Sequence, residues 1–137
     1  MRCIIINPYD RTITEADYDG SLGHMRSLLN DGPCMVRFDD REVLWVGDNG
    51  LLTEGLPVFR FIGTPHKLAG VGVCLGLDEG GYDIATEQEI ADLERIVAWT
   101  DLETTGELEP TREYVRDDGA HVTQLGEGIL RERKQRR

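Results

Sequence analysis

Residues 55–77 constrain this chain more than any other stretch. They hold its longest apolar run, five of its sixteen glycines and two of its five prolines. Val58 to Ile62 gathers β-branched and aromatic residues around one arginine, the composition of a strand. Leu68 to Leu77 is apolar apart from its glycines, which predicts a central strand with a bulge or a close backbone approach at Gly70, Gly72 and Gly76. The loop Gly63-Thr64-Pro65-His66-Lys67 is the one polar interruption between these two core strands. A phosphate-binding reading of the glycines fails on context. A dinucleotide fingerprint runs strand, glycine turn, helix, and here the glycines interleave with strand formers.

The segments on either side follow from turn and cap chemistry. Ile4, Ile5 and Ile6 read as a strand. Asn7-Pro8-Tyr9-Asp10 is a turn, and the alternation around Ile13 closes a hairpin over residues 2–16. A short helix over about 21–30 is expected, capped by Ser21 or Asp19, with Leu22, Met25, Leu28 and Leu29 on one face and Gly32-Pro33 as its stop. Residues 34–38 and 41–46 read as a second hairpin, and Asn49-Gly50 as a type I′ turn. Tyr82 to Ile84 suits a short edge strand. Thr86 with Glu89 three residues on predicts a capping box opening a longer helix over about 87–99. A weak last hairpin is expected over 111–115 and 121–125, followed by a basic tail at 126–137. The expected fold is α+β: a mainly antiparallel, curved sheet of five to seven strands carrying both helices, in a single domain over 1–125.

Charge and cysteine usage bound the function. The chain of 137 residues has a net charge of −11. Residues 131–137 carry five basic residues and one acidic, which leaves −15 on residues 1–130. So acidic a body repels phosphate backbones and makes it a poor nucleic-acid binder, whereas the basic tail could contact nucleic acid weakly. Cys3, Cys34 and Cys74 are odd in number, lack any Cys-x-x-Cys spacing and sit in apolar contexts, so buried free thiols and a cytosolic setting are expected. The apolar run at the N-terminus is too short for a signal sequence, and no stretch is long enough to span a membrane.

No constellation points to a reaction. The histidines His24, His66 and His121 have no His or Cys at metal-ligand spacing, so no metal and no cofactor is expected. Ser21 and Ser27 are the only serines, both in the first helix, and no nucleophile elbow is present. A Cys34 or Cys74 nucleophile with His66 stays open on geometry alone. No catalytic residue is assigned. Thr64, His66 and Lys67 are the candidate binding residues, because loops held between rigid strands carry function.

The Met1-to-Pro8 opening, the Ile13–Asp19 segment, Asn49-Gly50-Leu51-Leu52, Gly55-Leu56-Pro57, the Gly63–Gly76 run and Asp78-Glu79-Gly80 with its following helix occur in a familiar order. Over roughly residues 1–98 the chain resembles a family of short proteins of bacteriophages, plasmids and their bacterial hosts, known only as a domain of unknown function. The resemblance brings no catalytic residue. It implies an accessory protein of a mobile element, expressed in the bacterial cytoplasm. The expectation is a non-catalytic interaction protein with a protein partner, its oligomeric state open and a homodimer among the options. Two alternatives stand beside it: an acidic nucleic-acid mimic that inhibits a host DNA-binding defence enzyme, and a small-molecule-binding domain or small enzyme.

Overall fold

The hairpins expected from turn residues form. In the computed structural model, which describes residues 1–62, 64, 67–110, 112–124 and 127–133, β1 (Arg2–Asn7) pairs antiparallel with β2 (Thr12–Asp17). Asn7 Oδ1 accepts the Tyr9 N–H at 3.0 Å, the side-chain bond that suits asparagine to turns. β3 (Pro33–Arg37) pairs with β4 (Glu42–Gly47) around Asp39 and Asp40. Between the two hairpins runs α1 (Leu22–Leu29), with Ser21 as its cap: Ser21 Oγ accepts the His24 N–H at 3.0 Å. Asn30, at φ 55°, ends the helix in the left-handed conformation that asparagine tolerates, ahead of Gly32-Pro33.

The stretch at 55–77 divides differently from the expectation. It yields β5 (Glu54–Phe61), β6 (Lys67–Ala69) and β7 (Gly72–Leu77). The single strand expected at 68–77 is therefore two strands, and they lie in different sheets. Gly70 makes the break at φ +76°, a conformation strained for any L side chain. β6 folds back on β5, while β7 enters between β1 and β4.

Two further differences concern the second half. The helix expected over 87–99 is α2 (Ile90–Ile96), seven residues long against eight in α1, so neither helix is long. From Val97 the chain becomes the twelve-residue β9 (Val97–Leu108). Val97 pairs opposite Phe61 and Trp99 opposite Phe59, and such β-branched and aromatic pairs favour the sheet over another helical turn. The capping box does not form. Glu89 is the N-cap without a side-chain bond, and the Thr86 hydroxyl is bonded to Glu42 instead. Asn49-Gly50 leads into a 3-10 turn at Gly50–Leu52 rather than a two-residue hairpin turn. The stretch expected as a tail supplies β12 (Gly128–Glu132), paired with β9. Residues 134–137 and Leu125 lie outside the described residues.

Among the described residues the fold is thus α+β and antiparallel, in three sheets rather than one. A six-stranded sheet has the order β2-β1-β7-β4-β3, with β8 (Asp83–Ile84) added to β7. A four-stranded sheet runs β12-β9-β5-β6. The third is the lone pair of β10 (Arg112–Val115) and β11 (His121–Gln124). The two larger sheets share one apolar layer: Ile4, Ile6, Leu44 and Cys74 meet Phe59, Phe61, Leu68 and Val97, with Leu93 of α2. The opposite face of the six-stranded sheet buries Cys3, Val43, Val73 and Leu75 against Met25 and Leu29 of α1. Covered from both sides, every residue of β7 is buried.

Candidate interaction surface

The loop singled out in the sequence is tied to the body at both ends. Thr64 is half-buried, and its N–H and its hydroxyl both turn back on the Phe61 carbonyl, at 3.1 and 3.2 Å. Its hydroxyl is therefore engaged locally. His66 lies outside the described residues. Lys67 opens β6, and its Nζ stands 3.5 Å from Glu127 Oε2. That ion pair brings the loop to the base of the β10–β11 hairpin, a neighbour that sequence spacing did not indicate.

The hairpin has an unusual situation. Its base is closed by the Glu109 N–H donating to the Glu127 carbonyl at 2.7 Å. Its tip is closed by the Arg116 N–H on the Ala120 carbonyl at 2.9 Å and by Asp118 Oδ1 accepting the Ala120 N–H at 3.0 Å. Between those points β10 and β11 pair with each other, and among the described residues neither packs substantially on another element. Tyr114 and Val115 are 50% and 60% exposed. A two-stranded ribbon without a packing surface is marginal in water. The sequence places a weak hairpin here, yet its separation from the other sheets is a tertiary fact; Tyr114 beside Val115 was the available signal.

A second polar centre lies inside the fold. Glu42 is 5% exposed at the start of β4. Its Oε2 accepts the Thr86 hydroxyl at 2.7 Å and its Oε1 accepts the Glu87 N–H at 2.9 Å. The Cys74 thiol reaches the same Oε2 at 3.8 Å. Thr86 Oγ1 in turn accepts the Gln88 N–H at 3.1 Å. Arg2 completes the clasp, donating through Nη1 to the carbonyls of Thr86 and Gln88 at 3.0 and 2.7 Å. The irregular segment 85–89 is held by side chains where it has no ladder of its own. Glu42 also lines a cleft of about 350 Å³ with Asp40, Arg41, Asp78, Glu79 and Glu87. Both Glu42 oxygens already serve the fold, so this is a structural buttress rather than a free acid.

The thiols divide in the same way. Cys3 and Cys74 are buried, as expected, whereas Cys34 is exposed on β3, an edge strand, contrary to expectation. Burial pushes the Cys74 thiol from 9.0 up to about 12, with the Thr86 hydrogen bond pulling it down and Glu42 pushing it up. The native protein is expected to react with a thiol reagent at Cys34 alone, and at all three cysteines once denatured. The folded thiol stays protonated where the unfolded one ionises. Its contribution is therefore complete below about pH 9 and is lost as pH rises towards about 12. Urea midpoints measured across that range should fall less steeply in Cys74→Ala than in the parent chain, and equal slopes would contradict the assignment.

The two described histidines sit on different elements, α1 and β11. His24 stacks on Tyr18 with ring centroids 5.5 Å apart, and its Nδ1 accepts the Asp19 N–H at 3.1 Å. His121 stands on β11. Among the described residues no group of three or more His, Cys, Asp or Glu side chains is arranged to hold a metal ion, and no helix is long and apolar enough to cross a membrane. No family model matches the chain, and neither does any curated protein or solved structure.

Proposed function

We propose that this chain is a non-catalytic interaction protein of a mobile element, acting in the bacterial cytoplasm by holding a protein partner. The observation that carries the reading is the β10–β11 hairpin, which stands off the body with Tyr114 and Val115 in solvent. A bare ribbon gains most from a partner that covers it, since its own burial does not offset the entropy of ordering it. Tyrosine is also a side chain that interfaces favour, combining a large apolar ring with a polar end. The Lys67–Glu127 pair supports a surface that continues from the hairpin base to the Thr64–Lys67 loop. Three unpaired cysteines suit a reducing compartment. The mobile-element setting rests on the resemblance across residues 1–98.

The test is affinity capture from a bacterial host. Tyr114→Ala combined with Val115→Ala is expected to abolish capture of the partner, and His66→Ala with Lys67→Ala to weaken it strongly. Tyr9→Ala, an exposed aromatic on the β1–β2 turn and part of neither the hairpin nor the loop, should leave capture unchanged. If the hairpin and loop variants both retain the partner, the reading is wrong.

A further inference from the structure

We infer that a cavity bounded by α1 and by strands of both larger sheets binds a small amphiphilic monocation, an amine whose ammonium group rests on Asp31 and whose apolar body fills the cavity. The cavity measures about 290 Å³, at the lower end for ligand clefts and suited to a molecule built on one ring. Most of its wall is apolar. Leu28 and Leu29 come from α1, Leu56 from β5, Ala69 from β6, and Val71 from the segment that joins β6 to β7. Against them stands Asp31, the one charged side chain among the described lining residues.

Asp31 is held in place and held charged. Its Oδ1 accepts the Gly32 N–H at 2.7 Å and the Asn49 side-chain amide at 3.1 Å, and its Oδ2 accepts the Asn49 backbone N–H at 2.8 Å. These donors are neutral, and among the described residues no basic side chain pairs with the carboxylate. Burial raises its pKa, but the bonds from Asn49 and Gly32 outweigh burial and hold the carboxyl below the usual aspartate value. Oδ2 takes a single bond and keeps a lone pair for a further donor. β4 leaves room beside that oxygen, since a Cβ at Gly47 would stand 2.8 Å from Asp31 Oδ2. Gly47 is not at positive φ, so it is the space beside the carboxylate, and not the backbone conformation, that calls for glycine there.

This lining selects its ligand by charge. An anion is repelled by Asp31 and by the acidic body around it. A neutral apolar molecule would cover the carboxylate without supplying a donor, and a charge stripped of water and left unpaired is costly. An ammonium group supplies the opposite charge and the donor together, and charge-assisted bonds of this kind are roughly twice as strong as neutral ones. A second positive charge would meet leucine and valine in place of an acceptor. No lining residue belongs to the β10–β11 hairpin or to the 63–67 loop, so this site shares nothing with the protein-binding surface proposed above.

Titration of the full chain with phenethylamine, followed in its amide magnetic-resonance spectrum, tests the inference. Saturable shifts are expected at the lining glycines Gly47, Gly50 and Gly70. Phenethyl alcohol, the same body without the charge, should bind at least about tenfold more weakly, and hydrocinnamate should not bind. These comparisons use the parent chain and depend on no variant. Asp31→Asn keeps the shape and one acceptor, and it should erase the preference for amine over alcohol. Leu28→Trp places a larger side chain at a half-buried position of the wall and should block the amine while the urea midpoint changes little. Absence of saturable shifts at millimolar amine overturns the inference. So does equal affinity for amine and alcohol, a preference that survives Asp31→Asn, amine binding that survives Leu28→Trp, or shifts centred on Asp78 and Glu79 in the acidic cleft.

Discussion

Truncating Phe59 to alanine is expected to lower the unfolding free energy by about 3–5 kcal/mol. Phe59 is fully buried on β5, at the centre of the layer shared by the two larger sheets. Its ring meets Phe61 at 6.1 Å and Trp99 at 6.2 Å between centroids, both in the angled arrangements that aromatic pairs favour. It also reaches across to the six-stranded sheet: a Cβ added to Gly72 would lie 3.2 Å from Phe59 Cζ. Removing the ring opens a cavity on the seam, walled by strands of both sheets that cannot both move inward. A loss of that size is a large part of the roughly 5–15 kcal/mol that holds a domain together. Urea unfolding followed by dichroism measures it, and the midpoint should fall with an unchanged slope. A loss below about 1 kcal/mol would mean that the two sheets do not depend on this contact.

The second large effect is expected at Glu42. Its replacement by alanine strands the Thr86 hydroxyl and the Glu87 N–H without an acceptor, and each stranded group costs about 1–3 kcal/mol if buried. Glu87 N–H is only partly buried and can recover a water, so about 2–4 kcal/mol is expected in total. Thr86→Val removes one donor and keeps the shape; it should cost less alone and little more when added to Glu42→Ala. Such a double-mutant cycle separates the shared bond from the rest. Additive losses would show that Glu42 and Thr86 act independently, against the network described above.

The candidate surface was only partly visible in the chain. The polar loop between two apolar runs marked Thr64 and Lys67, and the fold fastens both: Thr64 to Phe61, and Lys67 to Glu127 sixty residues along the chain. The second link is an ion pair between distant residues, and no local pattern encodes it. The hairpin at 112–124 was legible as a hairpin because Asp117-Asp118-Gly119 is turn chemistry. Its isolation was not, because whether a ribbon joins a sheet depends on where the preceding strand ends. Buried Glu42 was hidden for a similar reason. Next to Asp39, Asp40 and Arg41 it resembles one more solvated charge, and only its encounter with Thr86 and Glu87 draws it inward.

Local chemistry by itself determined the hairpins β1–β2, β3–β4 and β10–β11, the cap of α1 at Ser21 and the burial of β7. Each follows from turn residues, a short-range hydrogen bond or an unbroken apolar run, forces that act within a few residues. Tertiary structure decided the rest. Apolar content marks 68–77 as core without saying which sheet each half joins; Gly70 at positive φ divides it between two sheets. The helix signals from Thr86 onward are the most complete local ones in the chain, yet the helix stops at Ile96 and the chain turns to strand at Val97, where Phe61 and Phe59 offer a ladder and a packing surface at once. Long-range pairing outweighs local propensity wherever one residue gains both a hydrogen-bonded partner and a buried neighbour, and that gain exists only once the sheets have met.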